Sequence, residues 1–113
     1  MVSETPQKKM TTIVVPQSVD EFKPKGISVV MFVASFHEAC RPGGQMDAVF
    51  SHLATTNSKS EIKFYKIDAE ELSDLAEEFN VEVVPTVLFL KDRTVVEKVD
   101  GARPAKVNKS MFY

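Results

Sequence analysis

What this sequence lacks narrows its function before any motif is read. It holds a single cysteine in 113 residues, so an internal disulfide and a cysteine-rich zinc site are excluded. A lone thiol is compatible with a reducing compartment. Excess positive charge is also missing: 14 Lys and Arg stand against 16 Asp and Glu, a formal net charge of -2. With no basic field to gather phosphates, neither nucleic acid nor an anionic membrane is expected as the main partner. The longest near-continuous apolar run, Ile27 to Phe36, carries two serines and falls far short of the roughly 20 residues that cross a bilayer. The first ten residues hold Lys8 and Lys9 but lack the following apolar stretch of about 7 to 15 residues that marks a secretory signal. No internal repeat, low-complexity segment, glycine-rich phosphate loop or metal-spaced His/Cys cluster occurs.

What is present is the composition of a packed protein. The hydrophobic share of 43% and charged share of 27% are those of an ordinary globular chain, and the length suits one domain of about 100 to 150 residues. Residues 1–10 are polar and are expected to be flexible, with a single domain over 11–113. Its abrupt end points to a fragment cut from a longer chain.

Periodicity orders the elements. Thr11 to Val15 reads as a β-branched first strand stopped by Pro16. Ser18-Val19-Asp20-Glu21 has capping-box spacing and predicts a short helix ending near Pro24 to Gly26. Ile27 to Phe36 is apolar on both faces, as a central strand would be. Met46, Val49, Phe50 and Leu53 form an i, i+3, i+4, i+7 stripe that predicts a helix from Gln45 to about Thr55, with His52 beside the stripe as a surface or boundary residue. Ile62 to Ile67 is a further strand. Asp68-Ala69-Glu70-Glu71 is a variant capping box for a helix burying Leu72, Leu75, Ala76 and Phe79. The acidic cluster Glu70, Glu71, Asp74, Glu77 and Glu78 reads as solvated surface.

A strand then starts at Pro85 and runs to Leu90, Lys91-Asp92-Arg93 turns, and Thr94 to Val99 returns as a half-buried, alternating edge. Pro104 opens a closing helix with Val107 and Met111 inward. The order β-α-β-α-β-α-β-β-α defines an α/β layer fold with a mixed sheet. Between its central strand and the following helix lies Ser35 to Gly44, which contains Cys40 and has the position of an active-site segment.

Phe32-Val33-Ala34-Ser35-Phe36-His37-Glu38-Ala39-Cys40-Arg41 resembles the thioredoxin pattern F-W-A-x-W-C-G-P-C-K. Lys66-Ile67-Asp68-Ala69, Val84-Pro85-Thr86 and Asp100-Gly101-Ala102 follow at the separations that family uses. The likeness runs from about Thr11 to Val107 and implies the thioredoxin fold, with Pro85 in the cis form. Within that superfamily, Gln45 to Ala54 and Lys66 to Glu71 are most similar to the N-terminal thioredoxin-like domain of multidomain monothiol glutaredoxins, of the protein kinase C-interacting cousin of thioredoxin type.

That resemblance implies a C-terminal glutaredoxin domain behind this one and a role in iron homeostasis, iron–sulfur cluster handling and cell redox homeostasis. It implies partners in the companion glutaredoxin domain and a BolA-type protein, in the cytoplasm and also the nucleus. No cofactor is expected in this domain; glutathione and a 2Fe-2S cluster would be held through the glutaredoxin domain.

The departures from the pattern bear on chemistry. A dithiol reductase attacks with the first Cys of C-x-x-C and resolves with the second; here the first position is His37. The family's buried proton-handling Asp matches Met31, and its partner Lys matches Phe64. Dithiol reductase activity is therefore not expected. Pro42-Gly43-Gly44 looks like an insertion into a normally continuous helix, where proline costs about 3 kcal/mol and each glycine about 1, so a break is expected before Gln45. Sliding the alignment across that insertion puts Cys40 on the attacking position and loses the Phe32 to Phe36 match.

Two readings stay open. In one the domain is a redox-inactive adaptor, with Cys40 half-buried and the surface of Phe36, His37, Glu38, Ala39, Arg41, Val84, Pro85 and Gly101 binding a protein, Val83 and Val84 offering backbone groups to an extended strand. In the other Cys40 is a one-cysteine nucleophile forming glutathione mixed disulfides, activated by Arg41, the helix N-terminus or His37. A Cys40–His37 metal site would have only half the ligands that tetrahedral zinc needs.

Overall fold

The central strand explains the rest of the architecture. In the computed structural model, which describes residues 13–34, 40, 43–57 and 61–111 (Met111 as backbone only), β2 spans Ile27–Val33. It lies in the middle of a five-stranded sheet of order β1-β3-β2-β4-β5, formed with β1 (Ile13–Val14), β3 (Lys63–Asp68), β4 (Thr86–Lys91) and β5 (Thr94–Asp100). Strands β1, β3 and β2 run parallel, and β4 and β5 are antiparallel additions. The sheet is mixed, as expected.

Alternation along β2 divides the core in two. Val29 and Met31 point to the face covered by α1 (Gln45–Thr56) and α3 (Pro104–Met111), where they meet Met46, Phe50, Phe64 and Val107. Val30 and Phe32 point to the other face, against Phe22, Tyr65, Leu75 and Phe79 around α2 (Ser73–Glu78). Each large side chain fully buried here contributes roughly 1.5 to 3 kcal/mol. Two-sided burial is the reason the strand reads as an unbroken apolar run rather than as an alternating one.

Several local expectations are corrected. The helix predicted after Ser18 is only a 3-10 turn, Val19–Glu21, and Ser18 makes no side-chain cap. Glu21 instead accepts the Gln17 N–H, so one half of the box forms one residue early, and the chain is extended again at Phe22. The Asp68 carboxylate accepts the Glu70 and Glu71 amides, but these cap a turn that precedes α2 rather than the helix itself, whose N-cap is Leu72.

That helix closes with Asn80 at φ 55 and with bonds from Val81 N–H to Ala76 O and Asn80 N–H to Glu77 O, the Schellman arrangement that stops a helix. Strand β5 does not alternate. A register irregularity at Phe89/Leu90 shifts its pairing, and Val95 and Val96 are both exposed. Strand β2 ends at Val33, three residues before its predicted bound at Phe36, and the predicted start of β1 at Thr11 lies outside the described residues. The remaining elements form within a residue or two of their predicted bounds, and His52 and the five acidic residues of the 70–78 stretch are exposed.

Candidate functional site

Sheet register gathers the site. Phe32 on β2 pairs with Thr86 on β4, and Thr86 pairs with Asp100 on β5. The end of β2, the start of β4 and the end of β5 therefore meet at one end of the sheet, where the strands terminate. There the Val84–Pro85 bond is cis, and the Gly101 N–H donates to the Pro85 carbonyl at 2.8 Å. Gly101 sits at φ 85, a conformation that favours glycine.

Buried Thr86 donates its hydroxyl to Val83 O at 2.6 Å and approaches Asp100 Oδ1 at 3.4 Å. Val83 is 48% exposed. Because its carbonyl is already taken, the backbone free to pair falls on Val84: no hydrogen bond within the described residues occupies the Val84 N–H or C=O.

The chain leaves β2 at this end through buried Ala34; Cys40, six residues on, is 8% exposed and not in a disulfide. Of the predicted surface, the structure thus brings Val84, Pro85 and Gly101 together at the sheet end and places Cys40 under cover. Phe36, His37, Glu38, Ala39 and Arg41 lie outside the described residues. The break expected at the glycine pair is present: Gly43 has φ 80, Gly44 is the extended N-cap, and α1 starts at Gln45.

Two residues with a structural part in this site had no role in the sequence reading. Asp47, in the first turn of α1, accepts the Gly43 N–H on one oxygen at 2.9 Å and the Lys66 ammonium on the other at 2.9 Å. The side chains of Lys66 and Asp47 are 27% and 23% exposed. The Gly43 amide first, and the Lys66 partner second, hold the Asp47 carboxyl below its ordinary range, against the opposing effect of burial. The available signal was Lys66 itself, a charge on the same face of β3 as Phe64, two residues before it, and so aimed at the helix layer.

Met31 and Phe64 are 1% and 0% exposed in one apolar cluster, so no proton-handling pair stands at those two positions. His52 lines a cleft of about 500 Å³ between α1 and α3 with Gln45, Ala48, Pro104 and Asn108. No group of three or more His, Cys, Asp or Glu among the described residues could hold a metal ion.

A family model described as Thioredoxin matches residues 11–112. The chain belongs to the thioredoxin family. Among curated proteins it is 36% identical over 96 residues to monothiol glutaredoxin-S17 of Arabidopsis thaliana, an alignment covering 84% of this chain. It is 33% identical over 93 residues to thioredoxin H5 of Arabidopsis thaliana, covering 82% of this chain and 75% of that protein. The chain spans 19% of the length of the monothiol glutaredoxin and 59% of the length of the Aspergillus fumigatus thioredoxin Asp f 29. Among solved structures, Malassezia sympodialis thioredoxin superposes with a TM-score of 0.78 at 29% identity, over 90% of both chains. The curated relatives include both thioredoxins and monothiol glutaredoxins, and the solved structures that superpose on the chain include thioredoxins. No helix of the described residues is long and apolar enough to cross a membrane.

Proposed function

We propose that this thioredoxin-family chain is a redox-inactive adaptor module of a monothiol glutaredoxin. The observation that carries the reading is Cys40: it is the sole thiol of the chain and is buried at 8% exposure. Dithiol exchange needs a second sulfur to resolve the mixed disulfide and an attacking thiolate that a substrate can reach. Apolar packing at Met31 and Phe64 supports the same reading, because it leaves no carboxylate at either position to move a proton.

The binding surface of the adaptor is the sheet end formed by Val83, Val84, Pro85 and Gly101, where an extended partner strand pairs with the Val84 backbone and packs on exposed Val83. The identity with a monothiol glutaredoxin supports a companion glutaredoxin domain as that partner, with a BolA-type protein in the same assembly and a role in iron homeostasis, iron–sulfur cluster handling and cell redox homeostasis in cytoplasm and nucleus. In this reading glutathione and a 2Fe-2S cluster belong to the companion domain; among the described residues no group of three or more His, Cys, Asp or Glu could hold a metal ion.

Two measurements test the reading. Insulin reduction with dithiothreitol is expected to stay at the uncatalysed rate, and turnover above it removes the redox-inactive assignment. In heteronuclear NMR, adding a glutaredoxin domain is expected to shift the Val83, Val84 and Gly101 amides; shifts confined to other faces remove the proposed surface. Rapid alkylation of Cys40 at neutral pH would replace the adaptor with a one-cysteine oxidoreductase.

A further inference from the structure

The covered state of Cys40 needs a cause. Three residues beyond Cys40 lie the Gly43-Gly44 pair, one of them in the left-handed region, and glycine gives up more conformational freedom on ordering than any other residue. Left to itself such a segment opens locally at low cost. Asp47 is placed to oppose that. Its carboxylate takes the Gly43 N–H with one oxygen and the Lys66 ammonium with the other, while Ala48 N–H bonds Gly44 O at 2.9 Å. Lys66 stands on β3 as the register partner of Met31 on β2, so this one carboxylate ties the far end of the Cys40 segment to the sheet. Both bonds are charge-assisted, the one from Lys66 part-buried and the one from Gly43 exposed, and charge-assisted bonds are stronger than neutral ones.

We propose that Asp47, backed by Lys66, is the positioning residue that keeps Cys40 buried. The proposal rests on the adaptor reading, in which Cys40 is a covered thiol. In it, Asp47 and Lys66 touch no substrate and act only by fixing the chain at Gly43.

The test is the rate at which iodoacetamide labels Cys40 in the folded 113-residue chain at one pH, compared with the urea-unfolded chain. The variants are Asp47→Ala, Lys66→Met and, as a control, Glu78→Gln, which breaks a surface ion pair to Arg93 on the opposite face. Slow labelling of the native chain is expected, with a rise of about tenfold or more in Asp47→Ala and Lys66→Met, the size that loss of a charge-assisted bond confers on local opening. Glu78→Gln is expected to label at the native rate. A slow native chain with Asp47→Ala and Lys66→Met equally slow overturns the positioning role and leaves the adaptor reading intact. A native chain that labels as fast as the unfolded one overturns both. Equal acceleration by Glu78→Gln reduces the effect to general loosening and also overturns the positioning role. Should Asp47→Ala fail to fold, Lys66→Met, which keeps the Gly43 bond, supplies the decision.

Discussion

The amide of Gly101 donates to the carbonyl of Pro85 across 2.8 Å, joining the end of β5 to the turn that opens β4. The bond extends the β4–β5 pairing one step beyond Thr86 and Asp100, at the end of the sheet where the proposed partner strand pairs. An added Cβ at Gly101 would meet nothing within 4 Å, so substitution is resisted by the backbone alone. Gly101→Ala is expected to lose about 1 to 2 kcal/mol, the penalty of a left-handed conformation for an L side chain. Urea denaturation gives the value, and a loss below a few tenths of a kcal/mol would show that the turn relaxes.

Asp47 predicts an acid dependence of stability. Its carboxyl is held low, first by the Gly43 amide and then by Lys66, so it binds a proton less readily in the folded chain than in the unfolded one. The stability it contributes is fully present above the unfolded value of about 3.9 and is lost as pH falls through the lower folded value. Between pH 5 and 3 the native chain should therefore lose more stability than Asp47→Asn, which has no proton to bind there. Parallel urea midpoints for the two proteins across that range would contradict this.

Met31 and Phe64 record how far the core has left proton chemistry. Met31→Asp should cost about 3 kcal/mol or more, because a carboxylate there is buried in an apolar cluster and Lys66, its register partner on β3, is already bonded to Asp47. Pairing it with Phe64→Lys should recover part of that loss. The two single variants and the double variant form a mutant cycle, and additive losses would mean that the two positions are not coupled.

Ser28 is the one buried side-chain polar atom among the described residues without a hydrogen-bond partner. It sits on β2, fully covered, where an unsatisfied hydroxyl is a cost. Ser28→Ala is expected to stabilise the chain by about 1 kcal/mol. A fall in thermal midpoint would show that the hydroxyl is satisfied in solution.

Arg93 bolts the β4–β5 turn to the opposite face. Its guanidinium makes three bonds to Glu78, donates to Phe22 O, and lies 5.4 Å and 5.6 Å from the Phe22 and Phe79 ring centroids. An exposed ion pair alone is worth at most about 1 kcal/mol, and the ring contacts add about 0.5 to 1. Arg93→Ala should thus lose about 1 to 2 kcal/mol. Arg93→Lys should restore less than half, because an ammonium cannot reproduce the planar fork; full rescue by Lys would assign the effect to charge alone.

Much of the fold was legible where one signal dominated. The two-sided apolar run of β2 and the Met46, Phe50, Leu53 stripe each have a single low-energy packing, so pattern and structure agree. The helix after Ser18 failed because a four-residue capping pattern carries little free energy against an extended path, and only one half of it formed. Alternation in β5 failed because the irregularity opposite Phe89 and Leu90 arises from pairing with β4, which β5 cannot encode alone. At the candidate site, Val84, Pro85 and Gly101 were legible as motif positions. Asp47 and Lys66 were not, since nothing local marks two residues on different elements as partners.

The sequence by itself therefore determined three things: the α/β class, the absence of a second sulfur, and the apolar character of positions 31 and 64, held by Met31 and Phe64. Each is a matter of residue identity and spacing, which no packing can alter. Only the tertiary structure decided that Cys40 is covered, that the Val83 carbonyl is taken by Thr86 while no hydrogen bond among the described residues occupies the Val84 backbone, and that one carboxylate joins Gly43 to β3. Burial and hydrogen-bond satisfaction depend on groups brought close from distant parts of the chain, and sheet register sets those distances.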